Sequence, residues 1–358
     1  MRIRTIVTVL AAVAVCACHH PAEQDNERKD VTGSVVGKRL AVDDLYGYRI
    51  LCAYDDYLFL QESRDTSRLV VYRVEGDSLK YYKGLIDRGR GPYEFYYPEF
   101  SLYGDTLFVS NSDPTGIKAI FGIPLDDMSK IDDQKRWKKY SFSEYDIQSG
   151  LSFARSGDGQ FVFAGGKADT KELFSLADFK NGVERIPLLF SPNDSTQGPN
   201  FAKQNVYMQC YLYSNEDRIL YANMYARYMF IATVKGNALV EKAVIYSNLP
   251  EYEIKPDGNI RYMVGDNGII PYTTPSRVYA QVGRRAKEAR PLDVTQGYSS
   301  IYTDEIEVYD WNGKFIDNYE TDRPFFTFAV SPDNRFLYTL SKDLDTEERI
   351  VMRYDLKL

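Results

Sequence analysis

Few residues of this chain are of a type and spacing that could do chemistry. Its two histidines, His19 and His20, stand side by side near the amino terminus. A nucleophile–histidine–acid system needs an imidazole held beside a serine or cysteine by the folded scaffold, so none can be assembled within residues 34–358. Two adjacent imidazoles on a polar segment do not make a defined metal site, and neither metal nor any other cofactor is expected. The stretch Gly33-Ser34-Val35-Val36-Gly37-Lys38-Arg39 has the look of a phosphate loop, but it is one residue short, lacks the hydroxyl residue after Lys38 and follows no strand. The carboxylate pairs Asp126-Asp127 and Asp132-Asp133 lie among turn formers and read as solvated surface. What is left is Arg88-Gly89-Arg90-Gly91-Pro92-Tyr93-Glu94. Gly89 and Gly91 permit backbone that other residues resist, and Pro92 fixes one φ angle just before Glu94. Arg88, Arg90 and Glu94 are therefore the candidate ligand-binding residues. The plainer and favoured role is an ion pair that locks a joint between repeats. No catalytic residue is assigned.

One thiol has chemistry of another kind. Met1–Arg4 carries two positive charges, and Ile6–Val15 is an apolar run broken only by Thr8. Such a run is too short to cross a bilayer, which takes about 20 helical residues, and it reads as a secretory signal peptide over residues 1–17. It ends in Val15-Cys16-Ala17-Cys18, which resembles the bacterial lipobox, with Ala17 as the small residue before cleavage and Cys18 as the lipid attachment site. Residues 18–33 are polar and charged and are expected to form a flexible tether. His19 is not the aspartate that favours retention at the inner membrane in such sorting systems. An outer-membrane lipoprotein is therefore expected, facing the periplasm or the cell surface.

Removal of residues 1–17 takes away Arg2 and Arg4 and no other charge, moving the formal net charge from −7 to −9. With no Lys/Arg stripe to offset it, that balance repels phosphate backbones, and nucleic acid is not an expected partner. The chain has 30 Tyr and 19 Phe against 2 Trp, an aromatic load suited to strands.

The elements that would have to position any site are short alternating strands joined by polar turns. The series is Arg49–Ala53 with Tyr57–Gln61, Phe100–Leu102 with Thr106–Ser110, Leu151–Arg155 with Gln160–Ala164, Val206–Tyr213 with Arg218–Asn223, and Phe326–Val330 with Phe336–Ser341. The turns between them, such as Tyr103-Gly104-Asp105 and Ser331-Pro332-Asp333-Asn334, use residues that tolerate left-handed backbone. Starts near 49, 100, 151 and 206 recur every 50 to 55 residues or about that, which is a repeat. The gap from 206 to 326 hides one more unit, placed around Arg261–Tyr319 with a long insertion at Gly283–Gly297. The plan is an all-β fold, a six-bladed β-propeller of four-stranded blades. The last blade runs out of chain after Ile350–Leu356, and Ser34–Leu45 is assigned to complete it and close the ring. A pair of β-sandwiches is the alternative weighed against the propeller. Cys52 and Cys210 fall on first strands of blades one and four, which face each other across the axis. Two free, buried thiols are expected, too far apart for a disulfide.

The segment Gly84-Leu85-Ile86-Asp87-Arg88-Gly89-Arg90-Gly91-Pro92-Tyr93-Glu94-Phe95 resembles the Gly-x-Gly-Pro-Gly-Glu-Phe signature of the six-bladed TolB-like propeller lipoproteins of Bacteroidota, with Tyr93 in place of the usual Gly. The resemblance implies the fold and the location, and no particular activity.

The functional expectation is a lipid-anchored envelope protein that binds a glycan, peptide or protein partner without catalysis. A glycoside hydrolase or polysaccharide lyase on the same fold is the alternative. Convergent carboxylates at the channel mouth would favour hydrolysis, and exposed flat aromatics would favour binding.

Overall fold

The protein is described by a computed structural model covering residues 29–62, 68–89, 91–96, 98–113, 116–141, 152–157, 159–165, 172–179, 184–188, 190, 192, 194–196, 198–256, 259–262, 268–282, 303–343, 346 and 348–356. Cys18, the signal peptide, most of the tether, Arg90 and the insertion at 283–297 lie outside these residues.

Strand accounts for most of the described chain. Gly33–Val35 (β1) and Lys38–Arg39 (β2) come before the first full sheet, which is Arg49–Tyr54 (β3), Tyr57–Gln61 (β4), Leu69–Glu75 (β5) and Ser78–Gly84 (β6). Asp87–Arg88 (β7) and Glu94–Phe95 (β8) form a small parallel pair. The second sheet is Phe100–Tyr103 (β9), Thr106–Asp113 (β10), Gly116–Pro124 (β11) and Lys138–Ser141 (β12). The third is Phe153–Gly157 (β13), Gln160–Ala164 (β14), Phe174–Asp178 (β15) and Glu184–Leu188 (β16). A helix, Asn200–Met208 (α1), leads into Cys210–Asn215 (β17), Arg218–Asn223 (β18), Tyr228–Lys235 (β19) and Ala238–Ser247 (β20), the fourth sheet. After a hairpin of Tyr252–Ile254 (β21) and Ile260–Tyr262 (β22) come Ile269–Thr273 (β23), Val278–Val282 (β24), Thr303–Tyr309 (β25), Phe315–Val330 (β26), Phe336–Lys342 (β27) and Arg349–Asp355 (β28). These last six pair in chain order into one continuous sheet, to whose far edge β2 adds antiparallel on β28.

Within each four-stranded sheet the strands pair with their chain neighbours, because the turns expected from the sequence are tight. Asp55, Glu216 and Asn334 take positive φ angles of 45°, 53° and 61° between paired strands, and Gly104 does the same at 58°. That left-handed backbone matches the twist of the flanking strands.

Each sheet is apolar on both faces and buries them against its neighbours in the chain. Phe108 and Ile120 of the second sheet share a core with Phe153 and Phe161 of the third. Val162 and Phe174 of the third pack with Tyr221 and Phe230 of the fourth. Leu220 and Ile231 of the fourth pack with Ile269, Val278 and Tyr309. The largest cluster joins Phe328, Leu337 and Val351 to Ile50 and Leu60 of the first sheet and Leu107 and Phe121 of the second. Each such side chain contributes about 1.5–3 kcal/mol on burial. Sheets stacked face to face in chain order, with first strands turned to a common centre, make this a β-propeller arrangement.

Four details differ from the sequence reading. Val206–Met208 is the end of α1 rather than a strand. Its apolar residues sit at helical spacing, with Ala202 and Val206 both buried, and alternation over so short a run does not separate the two states. The unit placed at Arg261 starts at Ile269 instead, because Arg261 and Tyr262 pair back onto Glu253 and Tyr252. Ser34–Leu45 is not one strand. β1 runs parallel to Tyr319–Thr321 of β26, β2 pairs with β28, and Ala41 bridges to Ser78 of β6. The break is at Gly37, where a Cβ would lie 2.5 Å from the Tyr354 ring, so the backbone crosses against that ring. Ordered contacts also begin before Ser34. The Lys29 N–H donates to Glu307 and the Thr32 N–H to the Asn318 carbonyl.

Candidate functional site

The starts of the first strands bring together residues far apart in the chain. Arg49 opens β3, Glu99 comes just before β9, and Tyr211 and Tyr213 alternate with buried Leu212 on β17, so both rings leave the same face of the strand. The Arg49 guanidinium lies 5.2 Å from the centroid of the Tyr211 ring and is hydrogen-bonded to Tyr213. A guanidinium over a ring face is held by the ring quadrupole, and most strongly when water is excluded.

The electrostatics agree with this geometry. Burial raises the Glu99 carboxyl above its usual range, and Arg49 pulls it partly back. Burial also pushes up the hydroxyls of Tyr211 and Tyr213, the latter to about 12, against the opposing field of Arg49. Tyr48 and Tyr225, 36 % and 46 % exposed, stand at the outer side of the cluster. The Glu62 carboxylate is engaged by the Gly47 N–H at 2.5 Å.

Behind Arg49 the centre is filled. Tyr213 and Tyr272 meet edge to face at 6.2 Å, and the Tyr272 hydroxyl accepts the Ala53 N–H at 3.2 Å. The far ends of the first strands, about 16 Å away by strand rise, surround a separate cavity of about 280 Å³ lined by Tyr54, Tyr103, Asn215, Pro275 and Pro332 among others. Cys52 and Cys210 are both free and buried, as expected.

The residues picked from the sequence are placed elsewhere. Arg88 is exposed, with its guanidinium 5.5 Å from the Tyr96 ring centroid. Glu94 turns back into its own loop and accepts the Gly91 N–H at 2.9 Å. A Cβ on Gly89 would lie 1.9 Å from that carboxylate, so this loop needs the glycine. Arg90, the expected partner of Glu94, lies outside the described residues. The acidic pairs do structural work. Asp127 and Asp133 each cap a 3-10 helix, and Asp126 pairs with Arg136 at 2.5 Å.

Arg49, Glu99, Tyr211 and Tyr213 were not picked from the sequence. The one signal for them was position, since each lies on or just before a first strand. That matters only once the sheets share a centre.

No family model and no curated protein matches this chain. Among solved structures it is similar to YjhT at 11% identity and a TM-score of 0.45, covering 91% of this chain and 95% of that one. The beta-propeller domain of Myceliophteria thermophila Cps50 (Swd1) matches at 11% identity and a TM-score of 0.41, over 88% of this chain and 99% of that domain. The WD40 repeats of RRP9 match at 11% identity and a TM-score of 0.41, over 90% and 100%. Likenesses this distant transfer no ligand, partner or activity.

Proposed function

We propose that this protein is a lipid-anchored component of the bacterial cell envelope, attached through Cys18 at the outer membrane. Its domain is a six-bladed propeller of the TolB-like kind, and it binds a glycan, peptide or protein partner at its centre without catalysis. Four sheets of four strands, a double-length β26 that serves as last strand of one blade and first of the next, and β2 on the edge of β28 support six blades closed by the amino-terminal segment.

The observation that carries the binding reading is the cluster of Arg49, Glu99, Tyr211 and Tyr213. It joins a cation and flat rings to a carboxylate that burial raises and Arg49 opposes. Glycosidic hydrolysis by the usual route needs two cooperating carboxyl groups, whereas the described charge that acts on Glu99 is the cation Arg49.

Screening the purified protein against oligosaccharide and peptide libraries tests this. The expected result is a ligand whose affinity falls at least about tenfold in Arg49→Ala, with the ligand recovered intact. Turnover of a bound saccharide would establish the enzyme alternative instead.

A further inference from the structure

A cleft lies at the outer edge of the first sheet, beside β6. Residues 42–46 pass beside β6 and leave a cleft of about 430 Å³ between them, within the range of about 300–1,000 Å³ common for small-ligand sites. Tyr46 and Tyr81 line it and are among the few large apolar side chains of the described residues left in water, 41 % and 58 % exposed. Their ring centroids are 6.4 Å apart with planes at 74°, so together they form a corner.

The corner is built rather than loose. Tyr72, fully buried, packs its ring edge to face on Tyr81 with centroids 6.1 Å apart. Its hydroxyl accepts the Tyr46 N–H at 2.7 Å and donates to the Asp44 carbonyl at 3.0 Å. One buried side chain thus fixes both the β6 wall and the loop wall. The polar rim is Asp43, Asp44 and Lys80. Carboxylates are acceptors only and an ammonium is a donor only, so a ligand offering hydroxyls can satisfy both.

We infer that this cleft is a saccharide-binding site that takes a neutral pyranose unit of an oligosaccharide. The sugar's C–H face lies on Tyr81 or Tyr46, and its hydroxyls donate to Asp43 and Asp44. Two exposed rings at an angle offer apolar faces to a flat ring at low entropy cost. An acidic polymer is disfavoured by the two carboxylates and by the net charge. An extended peptide would add to the β6 edge, but that edge is already occupied at Ser78 and Leu79, where Ala41 bridges to Ser78 and accepts the Leu79 N–H at 2.8 Å. The site does not depend on the central one.

The test is calorimetric titration of the full chain with neutral trisaccharides (cellotriose, mannotriose, xylotriose and chitotriose) at millimolar concentration. At least one should bind. Tyr81→Ala, which removes a largely exposed ring, should weaken binding at least about tenfold. Tyr81→Phe should retain it, and Asp43→Asn with Asp44→Asn should reduce it. The inference fails if no trisaccharide binds, if Tyr81→Ala binds as the parent does, or if a cationic proline-rich peptide occupies the cleft in their place. Loss of binding in Arg49→Ala with Tyr81→Ala unaffected would move the saccharide to the centre and overturn this site alone.

Discussion

The guanidinium of Arg49 lies over the ring of Tyr211, 5.2 Å from its centroid, although the two residues belong to the first and fourth sheets. The same guanidinium is the one charged group among the described residues that lowers the raised carboxyl of Glu99. These residues come from the first, second and fourth sheets and place a cation, a carboxyl and an aromatic ring at the centre of the molecule.

That arrangement has a pH signature. The folded Glu99 carboxyl titrates above its unfolded value, so the folded state holds its proton more tightly. The stability this contributes is fully present below the ordinary carboxylate range, about pH 4, and is lost as pH rises through the raised value. Thermal melts of the parent against pH should therefore show a falling limb that Glu99→Gln lacks. Arg49→Ala, which removes the opposing charge, should extend the limb to higher pH. Identical profiles for all three proteins would break the assignment.

The tyrosines predict a second limb in alkali. Burial is the largest cause raising the hydroxyls of Tyr207, Tyr221, Tyr228, Tyr246, Tyr272 and Tyr309 above their usual value. Their contribution is intact below about pH 10, the value in the unfolded chain, and is lost as pH rises beyond it. Tyrosinate absorbance should then appear cooperatively, in step with loss of strand circular dichroism. A gradual rise of absorbance with the fold intact would show that these rings are accessible.

Glu307 tests one buried polar group directly. Its carboxylate is 1 % exposed and accepts the hydroxyls of Tyr246 at 2.6 Å and Tyr309 at 2.5 Å, together with the Lys29 N–H at 3.0 Å. Tyr246→Phe leaves it one donor short and should cost about 1–3 kcal/mol in denaturant unfolding. A loss below a few tenths of a kcal/mol would mean that another donor replaces the hydroxyl.

Cys52 and Cys210 are 2 % and 1 % exposed, and burial pushes both thiols far up. A thiolate is the reactive form, so neither should react with a thiol reagent until the protein unfolds, when both should. Mass spectrometry of the unreduced denatured chain should find no bridge between them; finding one would undo the placement of the first and fourth sheets.

The amino-terminal segment separates anchoring from folding. Deleting residues 33–39 removes the pairings of β1 with β26 and of β2 with β28, and should lower the melting temperature strongly. Deleting residues 20–28 should leave it unchanged, and Cys18→Ala should move the protein to the soluble fraction. Equal stability of the two deletions would contradict closure by this segment, and continued membrane extraction of Cys18→Ala would contradict the anchor.

The strands and turns were legible along the chain because both are local. Period-two alternation is a property of five or six neighbouring residues, and the left-handed positions at Asp55, Gly104, Glu216 and Asn334 fall in turns whose residue types announce them. Burial of the two cysteines was legible for a related reason, since both lie on apolar first strands of counted repeats. The helix at Asn200–Met208 was missed because short apolar runs carry either period.

What only the tertiary structure decided is which charges meet. Glu94 attracted attention through the glycines around it, yet its carboxylate satisfies the Gly91 N–H in its own loop. Arg49, Glu99 and Tyr211 have no local pattern that distinguishes them. They become neighbours because the first strands of the sheets face one centre, and that depends on contacts between residues 50 or more positions apart, where alternation and turn chemistry have nothing to say.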